Sequence, residues 1–147
     1  MIAVGSAIIG GSGKTPSVLY ICRELQKMGY IPHIISRGYG GSTTVDEVIK
    51  VKPHMDFNFV GDEALMMSNY FPTWVSKNKF HAMISAKEDG ANILVLDDAL
   101  QSYNVYKNIS IYVYDSIQSF GNRLLVPSGP LRAVSYTHLR AHETVRN

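Results

Sequence analysis

Cysteine is nearly absent. A single residue, Cys22, occurs in 147, which excludes an intramolecular disulfide framework and any multi-cysteine zinc site and fits a reducing compartment, with the cytoplasm as the default. Its neighbours Leu19, Glu24 and Leu25 suggest a helical core position, so inert packing is favoured over a reactive thiol, for which nothing electropositive stands nearby. Long apolar runs are also lacking. The runs Ile31–Ile35 and Asn92–Leu96 are of strand length, far short of the roughly 18 residues of a membrane span. The apolar start, Met1 to Ile9, has no positively charged segment ahead of it, as a secretory signal would, and is read as the first core strand. Neither sign of charge dominates. Fourteen Lys and Arg face twelve Asp and Glu, for a net charge of +2, too small to imply a nucleic-acid partner.

What is present is the composition of one folded domain. Hydrophobic residues make up 46% and charged residues 18%, which excludes disorder and a coiled coil. The length suits a single core. Met1–Val4 read as a buried strand, followed by a loop from Gly5 to Gly13 and a helix over Lys14–Met28. In that helix Pro16 falls in the first turn, Val18, Cys22, Leu25 and Met28 share one stripe, and Gly29 supplies the stop. Ile31–Ile35 form a second strand, which completes a βαβ unit. Further strands are expected at Val45–Val51, Thr73–Ser76, Asn92–Leu96 and Ile109–Tyr114, and helices at Asp62–Tyr70 and Asn78–Glu88. This alternation predicts a mostly parallel α/β sheet flanked by helices.

The texture changes near residue 133. Residues 134–147 hold two of the five histidines and carry no apolar period, so the domain is expected to occupy 1–133 and the remainder to be a solvated tail. The run Val-Ser-Tyr-Thr-His-Leu-Arg-Ala-His-Glu-Thr also resembles a translated sequencing-adapter read-through. His138 and His142, at i, i+4, could grip a metal, but that reading ranks below the read-through.

Two segments point to phosphate chemistry. Gly10-Gly11-Ser12-Gly13-Lys14-Thr15 has the end of a Walker A loop, although Ile8 stands where the strict pattern has its first glycine. Its mechanics are intact. Backbone N–H groups of the glycine loop can wrap phosphate oxygens, Lys14 can reach the β and γ phosphates, and Thr15 can hold Mg²⁺, all at a helix N-terminus whose dipole favours anions. Ile93-Leu94-Val95-Leu96-Asp97-Asp98 is an apolar strand ending in two carboxylates, the form of a Walker B element. Such aspartates can equally cap a following helix. Neighbouring side chains on a strand point to opposite faces, so the pair is expected to divide the labour, one nearer the metal. Asp62 and Glu63 in Val60-Gly61-Asp62-Glu63 stand at a helix start, where the macrodipole favours acids whether or not they act. Arg37, in Ser36-Arg37-Gly38-Tyr39, stands at the end of a strand on the side where open α/β sheets bind ligands; an ordinary surface arginine is its alternative.

Five segments in order resemble the lipid A 4'-kinase family, the tetraacyldisaccharide 4'-kinases. They are Val4-Gly5 through Gly10-Gly11-Ser12-Gly13-Lys14-Thr15-Pro16, Ser36 to Gly41, Val60 to Glu63, Asp97-Asp98-Ala99-Leu100-Gln101, and Phe120-Gly121-Asn122 with Pro127-Ser128-Gly129-Pro130-Leu131-Arg132. The likeness covers Met1 to Arg132 and only the N-terminal part of a family member, so a second domain and an N-terminal membrane-contacting helix have no counterpart here. The resemblance implies a P-loop kinase fold, and transfer of the ATP γ-phosphate to the 4'-hydroxyl of tetraacyldisaccharide 1-phosphate, forming lipid IVA at the cytoplasmic face of the inner membrane. It implies ATP bound by Gly10, Gly11, Ser12, Gly13, Lys14 and Thr15, and Mg²⁺ held by Thr15, Asp97 and Asp98. Asp62 is then the base for the sugar hydroxyl beside the catalytic Lys14, and Arg37, Glu63, Gln101 and Arg132 contact the substrate. The family pairs its acid with a histidine from the C-terminal half, which none of the five histidines here matches. The chain departs from the family at Ser6 for Asn, Ala64 for Pro, Ala99 for Gly and Ser102 for His. Lys77 and Lys79 stand near the family's Asp-Arg, keeping positive charge without a bidentate fork.

Two other readings share the Walker elements: a regulatory P-loop ATPase that switches conformation, and a module that binds nucleotide without turnover. A generic ATPase has no reason to carry the S-R-G-Y, G-D-E and P-x-G-P-L-R segments together, whereas a truncated chain that binds nucleotide or a partner without turnover could carry them.

Overall fold

The computed structural model describes residues 1–6, 13–44, 47–100, 102, 105–114, 122 and 124–131. Strands β1 (Ile2–Gly5), β2 (Pro32–Ser36), β3 (Ile49–Lys50), β4 (Thr73–Val75), β5 (Ile93–Leu96) and β6 (Ile109–Tyr112) form one sheet in the order β3-β4-β2-β5-β1-β6. All neighbours are parallel except β3, which runs antiparallel to β4 at the edge. Between them lie helices α1 (Lys14–Lys27), α2 (Phe57–Val60), α3 (Asp62–Ser68) and α4 (Lys79–Glu88).

Strand pleating sorts the core into two layers. Ile2, Val4, Ile34 and Val95 face one side, where they pack with Val18, Cys22 and Leu25 of α1 and Met67 of α3. Ala3, Ile35 and Leu96 face the other, against Ala82 and Ala86 of α4. Both faces are covered, as a parallel sheet requires. The two small alanines of α4 let the helix approach the strands closely.

The expected helices and strands are present, with ends shifted by one or two residues in several, as at Ser68 of α3 and Tyr112 of β6. Helix α1 stops at Lys27, one residue early. Gly29 adopts φ +86 and donates to the Gln26 carbonyl while Tyr30 donates to that of Leu25, both at 3.0 Å, a Schellman ending. The helix therefore ends at Met28, whose side chain is exposed rather than part of the buried stripe. The strand expected over Val45–Val51 is only the two residues of β3 among the described residues; 45–46 lie outside them. Helix α2 was not expected at all. Asp56 caps it by accepting a hydrogen bond from the Asn58 N–H at 2.9 Å, a local signal too short to carry a period. Residues 132–147, which include the whole of the expected tail, lie outside the described residues.

Candidate nucleotide and acceptor site

The parallel strands all point their C-terminal ends to one edge of the sheet, the edge at which open α/β sheets bind ligands. From β1 the chain leaves through buried Ser6 and reaches Gly13, Lys14 and Thr15 at the start of α1, where Lys14 and Thr15 are both buried. From β5, directly beside β1, it leaves through Asp97 and Asp98. From β2, on the other side of β5, it leaves through Ser36 and Arg37. The loop of Lys14 and the aspartate pair thus emerge from adjacent strands at the same edge.

Asp97 is the most constrained group in this region. It is 2% exposed. Its N–H donates to the Ile35 carbonyl at 2.8 Å, and its Oδ2 accepts from the Ser36 hydroxyl at 3.2 Å. Its Oδ1 is buried and has no hydrogen-bond partner among the described residues. Burial first, then the negative charges of Glu63 and Asp98, push the Asp97 carboxyl up to about 6, against the opposing pull of Lys79 and the Ser36 hydrogen bond. A buried carboxylate oxygen left without a donor is costly unless a cation or donor completes it.

The alternative role of Asp97 and Asp98 as helix caps is not realised: residues 97–100 contain no helix start. Strand β5 also ends at Leu96, so the pleat does not set the directions of the two carboxylates. Asp98 instead has φ +48, a left-handed conformation that Asp tolerates better than most residues. On the far side of this turn the Ala99 N–H returns to the Val4 carbonyl at 3.3 Å. A Cβ on Gly5 would stand 2.7 Å from Leu100 Cγ, so the end of β1 and the aspartate turn are packed together.

Lys79, the first residue of α4, holds the turn from the other face of the sheet. Its Nζ donates to the carbonyl oxygens of Asp97 at 2.9 Å and Asp98 at 3.0 Å. Burial pushes this ammonium down to about 8, with Arg37 and Lys107 adding to the effect and Asp97 and Asp98 opposing it. In the sequence Lys79 stands out only with Lys77, near the family's Asp-Arg, because nothing in the helix period marks a lysine at this position as buried. Ser36 likewise carries no sequence signal of its hydrogen bond to Asp97.

Asp62 and Glu63 open α3, and both are exposed. Asp62 Oδ1 accepts from the Glu63 N–H at 2.8 Å, which keeps the carboxylate at the helix start. Glu63 lies close enough to Asp97 to raise its pKa. The Gly61 turn that precedes them is locked to the β2 loop: a Cβ on Gly61 would meet the Tyr39 carbonyl oxygen at 2.7 Å, and one on Gly41 would meet that of Phe59 at 2.5 Å. The S-R-G-Y-G-G and V-G-D-E segments are therefore two halves of one braced unit, which explains why glycines recur in both.

The structure thus gathers Ser36, Arg37, Glu63, Lys79, Asp97 and Asp98 into one electrostatic neighbourhood, with Lys14 and Thr15 entering from the adjacent strand. Arg37 is exposed and near enough to be felt by Lys79. Gly10, Gly11, Ser12, Gln101 and Arg132 lie outside the described residues. In the last expected segment, Asn122 Nδ2 donates to the Ser128 carbonyl at 2.8 Å, and a Cβ on Gly129 would overlap Asn122 Oδ1, so Asn122 packs on the turn that holds Ser128 and Gly129.

Among the described residues no group of three His, Cys, Asp or Glu side chains forms a ready metal cage. Mg²⁺ is commonly held by only one or two carboxylates together with substrate phosphates and water. The unpartnered, buried Asp97 Oδ1 is the kind of hard oxygen donor such an ion takes.

Comparison with known proteins agrees with this architecture. The family model described as tetraacyldisaccharide-1-P 4'-kinase matches residues 1–146. A tetraacyldisaccharide 4'-kinase of Paramagnetospirillum magneticum is 39% identical over 132 residues, covering 90% of this chain and 40% of the relative. One from Bartonella quintana is 34% identical over 146 residues, covering 99% and 42%. The chain spans about two fifths of the length of these relatives. A crystal structure described as the "apo" form of LpxK from Aquifex aeolicus in complex with ATP superposes with a TM-score of 0.81 at 24% identity, over 95% of this chain and 44% of that one. The match of the family model along nearly the whole sequence places this chain in the tetraacyldisaccharide-1-P 4'-kinase family.

Proposed function

We propose that this chain supplies the nucleotide-binding part of an ATP-dependent kinase that phosphorylates the 4'-hydroxyl of tetraacyldisaccharide 1-phosphate, giving lipid IVA. One observation carries the reading. The strand that leads to Lys14 and the strand that leads to Asp97 are parallel neighbours, and Asp97 keeps one buried carboxylate oxygen without a partner. A relative whose crystal structure is described as a complex with ATP shares the fold, which supports ATP as the phosphoryl donor.

Phosphoryl transfer asks a protein mainly for positioning and charge stabilisation. The Gly10 to Gly13 loop would cradle the phosphates, and Lys14 would supply positive charge to the β and γ groups. Thr15, Asp97 and Asp98 would hold Mg²⁺, which when bound supplies charge neutralisation at the phosphate oxygens. Ser36 fixes one oxygen of Asp97, and the other, without a partner among the described residues, would be the one to meet the ion. Asp62 accepts the proton of the attacking hydroxyl, for which an exposed carboxylate at a braced helix start is suitably placed. Arg37, Glu63, Gln101 and Arg132 contact the acceptor, with Arg37 matched to its phosphate. The acylated acceptor places the work at the cytoplasmic face of the inner membrane. Among the described residues no helix is long and apolar enough to cross a membrane.

The test follows labelled γ-phosphate from ATP onto tetraacyldisaccharide 1-phosphate with the full-length protein, alongside ATP hydrolysis without the acceptor. Label at the 4' position supports the kinase. Hydrolysis that ignores the acceptor indicates a regulatory ATPase, and nucleotide binding without either reaction indicates a binding module.

A further inference from the structure

Lys79 breaks two local rules at once. A lysine is almost never fully buried without a partner, and a cation in the first turn of a helix opposes the macrodipole; yet Lys79 is 6% exposed at the first position of α4. Such violations concentrate where function requires them. The hydrogen bonds show what Lys79 gains in return. One ammonium donates to two successive carbonyls, those of Asp97 and Asp98, and their convergence on it coincides with the left-handed backbone at Asp98. The charged groups facing the ammonium are Asp97 and Asp98 on the turn, Arg37 from the β2 loop and Lys107 from the segment before β6.

From this geometry we infer that Lys79 is a positioning residue for metal-bound nucleotide: by pinning both carbonyls of the aspartate turn from the α4 side, it aims the free oxygen of Asp97 at the edge where Lys14 enters. The inference rests on the nucleotide reading above. Ser36 holds the Asp97 side chain and Lys79 holds its main chain, so the residue is fixed from the end of β2 and the start of α4. The effect of Lys79 passes through Asp97, as that of an outer partner of a metal ligand does.

The experiment uses the full-length protein and measures ATP binding by calorimetry across a series of MgCl₂ concentrations, together with the melting temperature. Lys79→Met removes the donors at similar length, and exposed Lys77, two residues away, gives the control Lys77→Met. Lys79→Met is expected to raise the Mg²⁺ concentration for half-maximal enhancement of ATP binding by about 10- to 100-fold, while metal-free ATP binding moves less than about threefold. Lys77→Met should leave both unchanged. A purely structural lysine would lower the melting temperature and metal-free binding together without moving the Mg²⁺ dependence, and that result overturns the inference. If Lys79→Met does not fold, Lys79→Arg decides. Arg can donate to both carbonyls, so a folded Arg variant with wild-type Mg²⁺ dependence supports the role, and one shifted by about tenfold or more refutes it. Wild-type protein showing no Mg²⁺-dependent ATP binding removes the nucleotide reading and the inference with it. Intact wild-type binding with an unmoved Lys79→Met overturns the inference alone.

Discussion

Gly61→Ala is the substitution whose cost the structure defines most clearly. Gly61 has φ +89 and ψ 144, in a region nearly closed to residues with a Cβ, and holding Ala there costs about 1–3 kcal/mol. The new methyl would also stand 2.7 Å from the Tyr39 carbonyl oxygen and 3.2 Å from the Gly38 carbonyl carbon. These are backbone atoms, which cannot swing aside, so overlap adds about 1–3 kcal/mol. The total is roughly 2–6 kcal/mol, or a fall in melting temperature on the order of 5–20 °C for a domain of this size. Gly40→Ala is the internal control. Gly40 also has positive φ, +82, but a Cβ there meets nothing within 4 Å, so only the left-handed penalty of about 1–2 kcal/mol applies. Thermal unfolding of the two variants side by side isolates the overlap term. Because Gly61 directly precedes Asp62 and Glu63, the surviving Gly61→Ala protein should also lose transfer to the acceptor more than it loses ATP binding. Equal melting temperatures for the two variants would refute the braced arrangement of the β2 loop and the α3 turn.

Lys14→Ala in the full-length protein should weaken Mg·ATP binding and abolish 4'-phosphorylation, since it removes the charge aimed at the transferred phosphate; unchanged binding in calorimetry would sink the assignment of the phosphate loop. Burial pushes the Cys22 thiol up to about 12, so the folded chain holds a proton that the unfolded chain releases above about pH 9. Stability should then fall with a slope of up to about 1.4 kcal/mol per pH unit across that window, and urea titrations at pH 8 and 10 should show a smaller loss for Cys22→Ala than for wild type. Deleting residues 134–147 should leave the melting temperature unchanged, and a clear drop would make that stretch part of the fold. The 147-residue chain on its own, which spans about two fifths of its relatives' length, should transfer phosphate to the acylated acceptor about 10²-fold or more slower than a full-length relative, because positioning of the acceptor counts for at least about that much in rate; equal turnover would contradict this.

The parts of this protein that sequence made legible are those whose signals are local and repeated. The stripe of Val18, Cys22 and Leu25 fixes the buried face of α1, and the apolar run Ile93 to Leu96 becomes the strand that carries the aspartates. Glycine and acid at Val60 to Glu63 announce a helix start, and α3 begins at Asp62. What sequence did not give is what two distant segments do to each other. The Gly41 and Gly61 contacts join residues about twenty apart, and the hydrogen bond from Ser36 to Asp97 spans 61 residues. Lys79 is the clearest case. Its side chain crosses from α4 to the aspartate turn 18 and 19 residues later, and neither helical period nor charge pattern distinguishes it from its exposed neighbour Lys77. Strand order settles that difference. Once β5 lies between β1 and β2, the aspartate turn is reached by the α1 side and the α4 side at once, and a lysine opening α4 has two carbonyls to satisfy rather than open solvent. Burial of that lysine follows from topology, and topology is the level at which this site is assembled.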